Sequence, residues 1–148
     1  MARPCETLIA WQQADNLVVE IYKTTKDFPK SELYGLTSQV RRAAISVAAN
    51  IAEGCSRQYL KEYLQLLHMA DASLSEVAYY IHLARRLDLT DDPTTKRLEA
   101  LRSDAGRPLY GLIDWVKGQV KSGVVLNVRI SEIPTLYVTQ CTPAVGDW

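Results

Sequence analysis

The histidines and acidic residues best suited to metal or proton chemistry lie on one predicted helix. His68, Asp71 and His82 project onto one side of it, within about 80° of one another at 100° per residue. Imidazole and carboxylate groups are common zinc ligands, and histidine transfers protons near neutral pH. The two histidines are, however, separated by about 21 Å along a helix, which is too far to share one ion. The Glu-x-x-His pattern of di-iron bundles is also absent. We therefore predict no metal site and interpret the stripe as a polar seam or a subunit contact.

A second polar stripe follows one face of the preceding predicted helix. Gln39, Ser46, Asn50 and Glu53 recur beside the apolar seam of that helix, together with Arg42. Two interpretations are open for this stripe. It is either a strip that faces RNA or another ligand, or a ladder of satisfied hydrogen bonds that fixes helix register or a subunit boundary. We favour the ladder.

The sequence contains no motif that predicts an enzyme. P-loop, G-x-S-x-G and G-x-G-x-x-G patterns are all absent. Cys55 follows the end of a predicted helix and has no histidine near it in sequence, so we do not expect a thiolate nucleophile. Three cysteines without a C-x-x-C pair make a poor disulfide framework and a poor zinc site. We predict a non-enzymatic protein with no catalytic residues, cofactor or metal.

Basic and acidic side chains balance over the whole chain but not along it. The 148 residues carry 17 of each sign, which argues against a uniformly basic nucleic-acid clamp. Residues 94–129 nevertheless have an excess of basic groups, whereas residues 58–93 are acidic. A basic face repeated around an oligomer could bind a phosphate backbone. For Arg41 and Arg42, an ion pair with a neighbouring subunit is an equal alternative. Our candidate phosphate contacts are Arg41, Arg42, Arg57, Lys96, Arg97 and Arg102.

Hydrophobic periodicity predicts four amphipathic helices. Their apolar seams fall within residues 11–28, 36–54, 57–87 and 92–118. Short connections between them imply antiparallel neighbours, so we expect an all-α, up-down-up-down four-helix bundle. Local signals suggest how the helices begin and end. Ser31 and Asp92 are candidate N-caps, Gly54 is a candidate left-handed C-cap, and Pro108 is expected to kink the last helix.

The composition changes after the fourth helix. We therefore divide the chain into a bundle over residues 1–118 and a C-terminal tail over residues 119–148. The tail is rich in β-branched residues around 124–130 and 135–138, which is consistent with a small hairpin, an edge strand or a loosely ordered segment. With 47% hydrophobic and 23% charged residues, no apolar run long enough to span a membrane and no signal core, we expect a cytoplasmic protein.

Two of the predicted helices have more apolar surface than the core of a monomeric bundle requires. Helices that are apolar on two sides are usually buried on two sides, so we predict a homo-oligomer. The alternative is scattered surface hydrophobic residues, which are common. The candidate interface residues are Ile45, Ala49, Ala52, Met69, Tyr80, Leu83 and Leu87.

The second helix also carries a family resemblance. Residues 32–54 read ELYGLTSQVRRAAISVAANIAEG, which closely resembles the signature of a bacterial four-helix-bundle family encoded within intervening sequences of 23S ribosomal RNA. Trp11, Tyr22 and Phe28–Pro29 fit the same family, and the resemblance covers about residues 5–118. Two departures stand out. Ala48 occupies a position where the family usually has proline, and the tail from about residue 119 has no counterpart.

The resemblance implies a homopentameric bundle that binds RNA or another nucleic acid. A related branch comprises the accessory proteins of diversity-generating retroelements, which bind nucleic acid and a reverse transcriptase. We therefore carry two functional expectations. The first is an oligomeric bundle that binds RNA or a ribonucleoprotein. The second is a protein-interaction adaptor of the reverse-transcriptase accessory type, or a purely structural assembly.

Overall fold

Four long helices account for most of the chain in the computed structural model, which describes residues 4–139. The helices are α1 (Ile9–Thr25), α2 (Leu36–Cys55), α3 (Leu60–Arg86) and α4 (Asp92–Lys121), with short 3-10 turns at Pro4–Thr7, Lys30–Glu32 and Ile130–Glu132. Each helix packs against two neighbours, so that α1 contacts α2 and α4 while α3 contacts the same two helices from across the bundle. This arrangement confirms the predicted all-α four-helix bundle.

The predicted apolar seams form the core. On α2 the six seam residues from Leu36 to Ile51 are all buried, and on α3 the six from Leu60 to Ile81 are buried as well. On α1 the helical periodicity predicts a seam at Trp11, Ala14, Val18, Ile21, Thr25 and Phe28. Ala14, Ile21 and Thr25 are buried, the other three are only partly buried, and Leu17 joins the core in addition. Burial of one apolar stripe on each helix is the main contribution to the stability of the folded protein. It amounts to roughly 25 cal/mol per Å² of apolar surface removed from water.

Gly54 serves a packing role rather than the predicted left-handed cap. Helix α2 continues through it to Cys55, and the only glycine with positive φ among residues 4–139 is Gly123. A Cβ atom at Gly54 would lie 2.6 Å from the Tyr63 ring. Glycine is therefore required here because α2 and α3 approach each other closely at this point.

Two predicted N-caps are also wrong by a few residues. Gly35, not Ser31, precedes α2, and the Glu32 carboxylate accepts a hydrogen bond from the Leu36 N–H at 3.1 Å. Asp91, not Asp92, caps α4 and accepts from the Thr94 N–H at 2.8 Å. Hydrogen bonds from Thr94 hold the pKa of the Asp91 carboxyl below its ordinary value. Further along, α4 continues through Pro108 as one helix.

The chain after α4 returns across one end of the bundle, and we call residues 122–139 the strap. Its first half pairs with the α2–α3 turn, where the Leu60 N–H donates to the Val125 carbonyl at 2.9 Å and the Asn127 N–H to the Gln58 carbonyl at 2.8 Å. Its second half pairs with the beginning of α1 through the bridge between Leu8 and Val138. Within the described residues, the strap forms isolated bridges and a 3-10 turn instead of a hairpin.

One polar side chain ties the strap to the bundle. Asn127 Nδ2 donates to the carbonyls of Gly54 and Arg57, at 3.1 and 2.9 Å. These acceptors lie at the end of α2, where helical carbonyls have no partner within their own helix. Ile133 of the strap is buried in the core. No helix in the described part of the chain is long and apolar enough to cross a membrane.

Candidate nucleic-acid and subunit interfaces

Seven residues between positions 33 and 45, within the 32–54 signature, line a groove between α1 and α2, which we call the α1–α2 groove. Its volume is about 470 Å³. Arginines, aromatic rings and hydroxyls share its walls, a combination that suits contacts with phosphates and bases. The residues lining it are Tyr22, Leu33, Tyr34, Thr37, Ser38, Arg41, Arg42 and Ile45.

The two arginines of this groove have different environments. Arg41 lies over the Tyr22 ring, 4.5 Å from its centroid, and its Nε donates to Thr25 Oγ1 at 2.8 Å. These contacts fix Arg41 between α1 and α2. Arg42 is exposed, and no carboxylate within residues 4–139 pairs with it. Of the two, Arg42 is the one available to an external anion.

Aromatic exposure in the groove is the feature that sequence reasoning missed. Tyr34 is 93% exposed, and Tyr22 and Leu33 are also exposed. The available signal was an aromatic side chain within a short polar connection, where no core position explains it. Beside them, the Thr37 hydroxyl is buried and has no hydrogen-bond partner among the described residues. The groove thus presents an aromatic ring and a free guanidinium on one surface.

The six predicted phosphate contacts do not form one patch on a single subunit. Arg57 is ion-paired with Glu53, Arg97 with Glu20 at 2.9 Å, and Arg102 with Glu99 at 3.0 Å. Lys96 is exposed and lacks a carboxylate partner in the part of the chain that the structure describes. It lies on α4, whereas Arg41 and Arg42 lie on α2, which is not a neighbour of α4 in the bundle.

The polar stripe of α2 makes hydrogen bonds within and between helices. Ser46 Oγ lies 2.8 Å from Ser73 Oγ on α3, and Asn50 Nδ2 donates to the Ser46 carbonyl at 2.8 Å and to Ser46 Oγ at 3.0 Å. Gln39 is exposed at the edge of the same α2–α3 cleft. The partners of this stripe are therefore largely inside the subunit.

Several candidate interface residues are solvent-exposed in the single subunit. Ile45, Met69 and Leu87 are 43%, 48% and 51% exposed, and Ala49 is exposed as well. The other three, Ala52, Tyr80 and Leu83, are half-buried. Burial of the exposed apolar area of these side chains against another protein would be favourable, in proportion to the area removed from water.

The histidine stripe of α3 faces solvent. His68, Asp71 and His82 are exposed, and His82 lies beside Tyr79 with ring centroids 6.5 Å apart. Over residues 4–139, no three histidine, cysteine or acidic side chains are placed to hold one metal ion.

Cys55 lies in an environment that suppresses thiolate formation. Its Sγ is 3.9 Å from the Tyr63 hydroxyl, next to the close contact of α2 with α3. Burial raises the pKa of the Cys55 thiol from 9.0 to about 11. The pKa of Tyr63 is raised as well, chiefly by burial.

We predict that Cys55 reacts slowly with iodoacetamide in the folded protein. A pKa raised by two units lowers the thiolate fraction at pH 8 by about a hundredfold, because only the thiolate is nucleophilic. Peptide-resolved mass spectrometry should show rapid labelling only after unfolding in urea. The pKa of Cys55 is higher in the folded protein than in the unfolded chain, so the protonated thiol favours the folded state. This contribution to the free energy of unfolding is complete below pH 9 and is lost as pH rises through about 11. Equal labelling rates in the folded and unfolded protein would contradict this environment.

Comparison with known proteins agrees with the architecture. Residues 6–111 match the family model described as 23S rRNA-intervening sequence protein. A crystal structure from Bacteroides thetaiotaomicron, described as a protein of unknown function from the S23 ribosomal protein family, superposes with a TM-score of 0.64 at 18% identity, covering 71% of this chain and 98% of that one. No functionally curated protein matches the chain. The strap lies beyond the matched region. The chain therefore belongs to the 23S rRNA-intervening sequence protein family.

Proposed function

We propose that this protein is a non-enzymatic subunit of a homo-oligomer that binds single-stranded RNA through the α1–α2 groove. The observation that carries the proposal is that one groove holds the exposed ring of Tyr34 and the guanidinium of Arg42, which has no carboxylate partner among residues 4–139. Single-stranded RNA is commonly held by aromatic side chains that stack on bases and by basic groups that follow the phosphates.

The assembly part of the proposal is supported by the outer surface of α2 and α3. Helix α2 buries one face in the core, yet Ile45 and Ala49 on its other side remain exposed. On α3, Met69 and Leu87 are also about half exposed. A neighbouring subunit would remove these side chains from water. Because Ile45 also lines the α1–α2 groove, the groove would lie at the edge of this contact and would be repeated around the assembly. By family resemblance we propose five subunits.

We expect Arg42→Gln to weaken RNA binding by about tenfold, because it removes one charge-assisted phosphate contact from each subunit. Fluorescence anisotropy with a single-stranded oligoribonucleotide at two salt concentrations should also show a salt dependence reduced by about one phosphate contact. Tyr34→Ala should weaken RNA binding by a similar factor, because a base can no longer stack on the tyrosine ring. The matched control is Arg107→Gln, since Arg107 is exposed and pairs with Asp104 on α4.

The Arg42→Gln variant also distinguishes the two roles proposed for Arg42, a contact with phosphate and an ion pair with a neighbouring subunit. If Arg42→Gln keeps the assembled mass but loses RNA affinity, Arg42 contacts phosphate. If the assembly dissociates, Arg42 forms an ion pair with a neighbouring subunit. Absence of binding by the unmodified protein at micromolar concentration and low salt would overturn the RNA-binding proposal.

A protein-interaction adaptor of the reverse-transcriptase accessory type is the second candidate. One observation favours it, namely that the strap presents Val125, Leu126 and Leu136 to solvent at 65%, 57% and 74% exposure. Pull-down of a reverse transcriptase that is lost when these three residues become serine would support the adaptor, and an undiminished pull-down would remove the strap from that interface.

A further inference from the structure

The strap and the α2–α3 turn border a second groove that is open to solvent, which we call the strap groove. Its volume is about 570 Å³, within the roughly 300–1,000 Å³ typical of small-ligand sites. One wall is formed by Cys55, Arg57 and Gln58, and the other by residues 126–131. The first wall lies within the residues 6–111 that match the family model, whereas the second wall lies beyond them, so only part of the groove is covered by that model.

Two arginines from distant parts of the chain line this groove. Arg57 comes from the turn after α2, and Arg129 comes from the strap. Arg57 is ion-paired with Glu53 near the end of α2, which leaves most of its five N–H donors for another acceptor. The backbone N–H of Arg129 donates to Glu132 at 3.0 Å, but no carboxylate in the described segment pairs with its guanidinium.

Hydrogen bonds between the strap and the α2–α3 turn fix the position of one wall of the strap groove relative to the other. Asn127 lies in its wall, and its two hydrogen bonds to Gly54 and Arg57 secure the strap against the turn. The remaining lining is partly apolar, through Leu126, Val128 and Ile130. A ligand that fits this surface has a small anionic group and a flat ring system with few polar atoms.

We propose that the strap groove binds a nucleoside 5′-phosphate, with Arg57 and Arg129 contacting the phosphate and the apolar wall contacting the base. Arginine binds phosphate oxygens in bidentate geometry. Arg129 would make the main contact with the phosphate, and Arg57 would add the N–H donors that its ion pair with Glu53 leaves unused. The same chemistry exists in a free nucleotide and at the 5′ end of an RNA strand. The RNA case rests on the proposed function, whereas the free-nucleotide case does not.

The test compares the same oligoribonucleotide with a 5′-phosphate and with a 5′-hydroxyl, alongside AMP and inorganic phosphate, by isothermal titration calorimetry. We expect the 5′-phosphorylated strand to bind about tenfold more tightly than the 5′-hydroxyl strand. Arg129→Gln should abolish that ratio without weakening the 5′-hydroxyl strand. Arg107→Gln is again the matched control and should preserve the ratio.

Each outcome has a distinct meaning. If AMP binds in an Arg129-dependent manner and the two strands bind equally, the free nucleotide is the ligand and the groove assignment stands. If neither AMP nor the 5′-phosphate effect depends on Arg129, the assignment is overturned even when RNA binding itself persists. Loss of RNA binding with retention of AMP binding would instead overturn the proposed function and leave the strap groove in place.

Discussion

Replacing Gly54 by alanine is expected to lower the free energy of unfolding by about 2 kcal/mol, although alanine is the better helix former. The added Cβ would lie 2.6 and 2.9 Å from two carbon atoms of the Tyr63 ring. Tyr63 is only 1% exposed, so its ring has no solvent into which it can move. Helix α2 and helix α3 would have to separate, which disturbs the packing of the core around them.

Gly118 provides the matched control for this substitution. It also lies inside a helix, α4, but a Cβ there would meet no atom within 4 Å. Gly118→Ala should therefore stabilise the protein by about 0.5–1 kcal/mol through helix propensity alone. Urea denaturation at one protein concentration measures both effects. The same sign of change in both variants would show that the contact with Tyr63 is not the reason for glycine at position 54.

The second large effect is expected from Ile45→Glu, which should convert the proposed homo-oligomer into single chains of 16.6 kDa. Ile45 is 43% exposed on the outer side of α2, so a carboxylate there is readily hydrated in the isolated subunit. In a subunit interface the same carboxylate would be buried without a partner, at a cost of about 3 kcal/mol or more per interface. Light scattering coupled to size-exclusion chromatography measures the mass directly.

Tyr110→Glu controls for the effect of placing a charge on any exposed apolar residue. Tyr110 is 70% exposed on α4 and lies outside the candidate interface. Its replacement should leave the assembled mass unchanged. An unchanged mass for Ile45→Glu would exclude the outer face of α2 as the subunit contact, and a wild-type protein of subunit mass would contradict assembly altogether.

The four helices could be predicted from the sequence because many residues in each helix show the same apolar periodicity. A seam such as Leu36 to Ile51 on α2 repeats one signal over several turns, so an error at one position changes little. The cap positions were less predictable. Ser31 has the right side chain for an N-cap, but the 3-10 turn at Lys30–Glu32 delays the helix by about one turn and transfers the role to Glu32.

Only some of the ion pairs made by the candidate phosphate contacts could be predicted from the sequence. The pairs of Arg57 with Glu53 and Arg102 with Glu99 have the spacings of neighbours on a helix, so they could have been read from sequence. The pair of Arg97 with Glu20 joins two helices and depends on their packing. The strap groove was not predictable for the same reason, since Arg57 and Arg129 meet only when the strap has docked.

The docking of the strap has a consequence for the order of folding. Each helix forms from local contacts, whereas the bridge between Leu8 and Val138 closes a loop that contains nearly the whole described chain. Loop-closure entropy makes such a contact unfavourable until α1 and α4 have packed together and brought the two segments close. We therefore expect the strap to dock after the four helices have packed, and its release to expose Ile133, which is buried in the core.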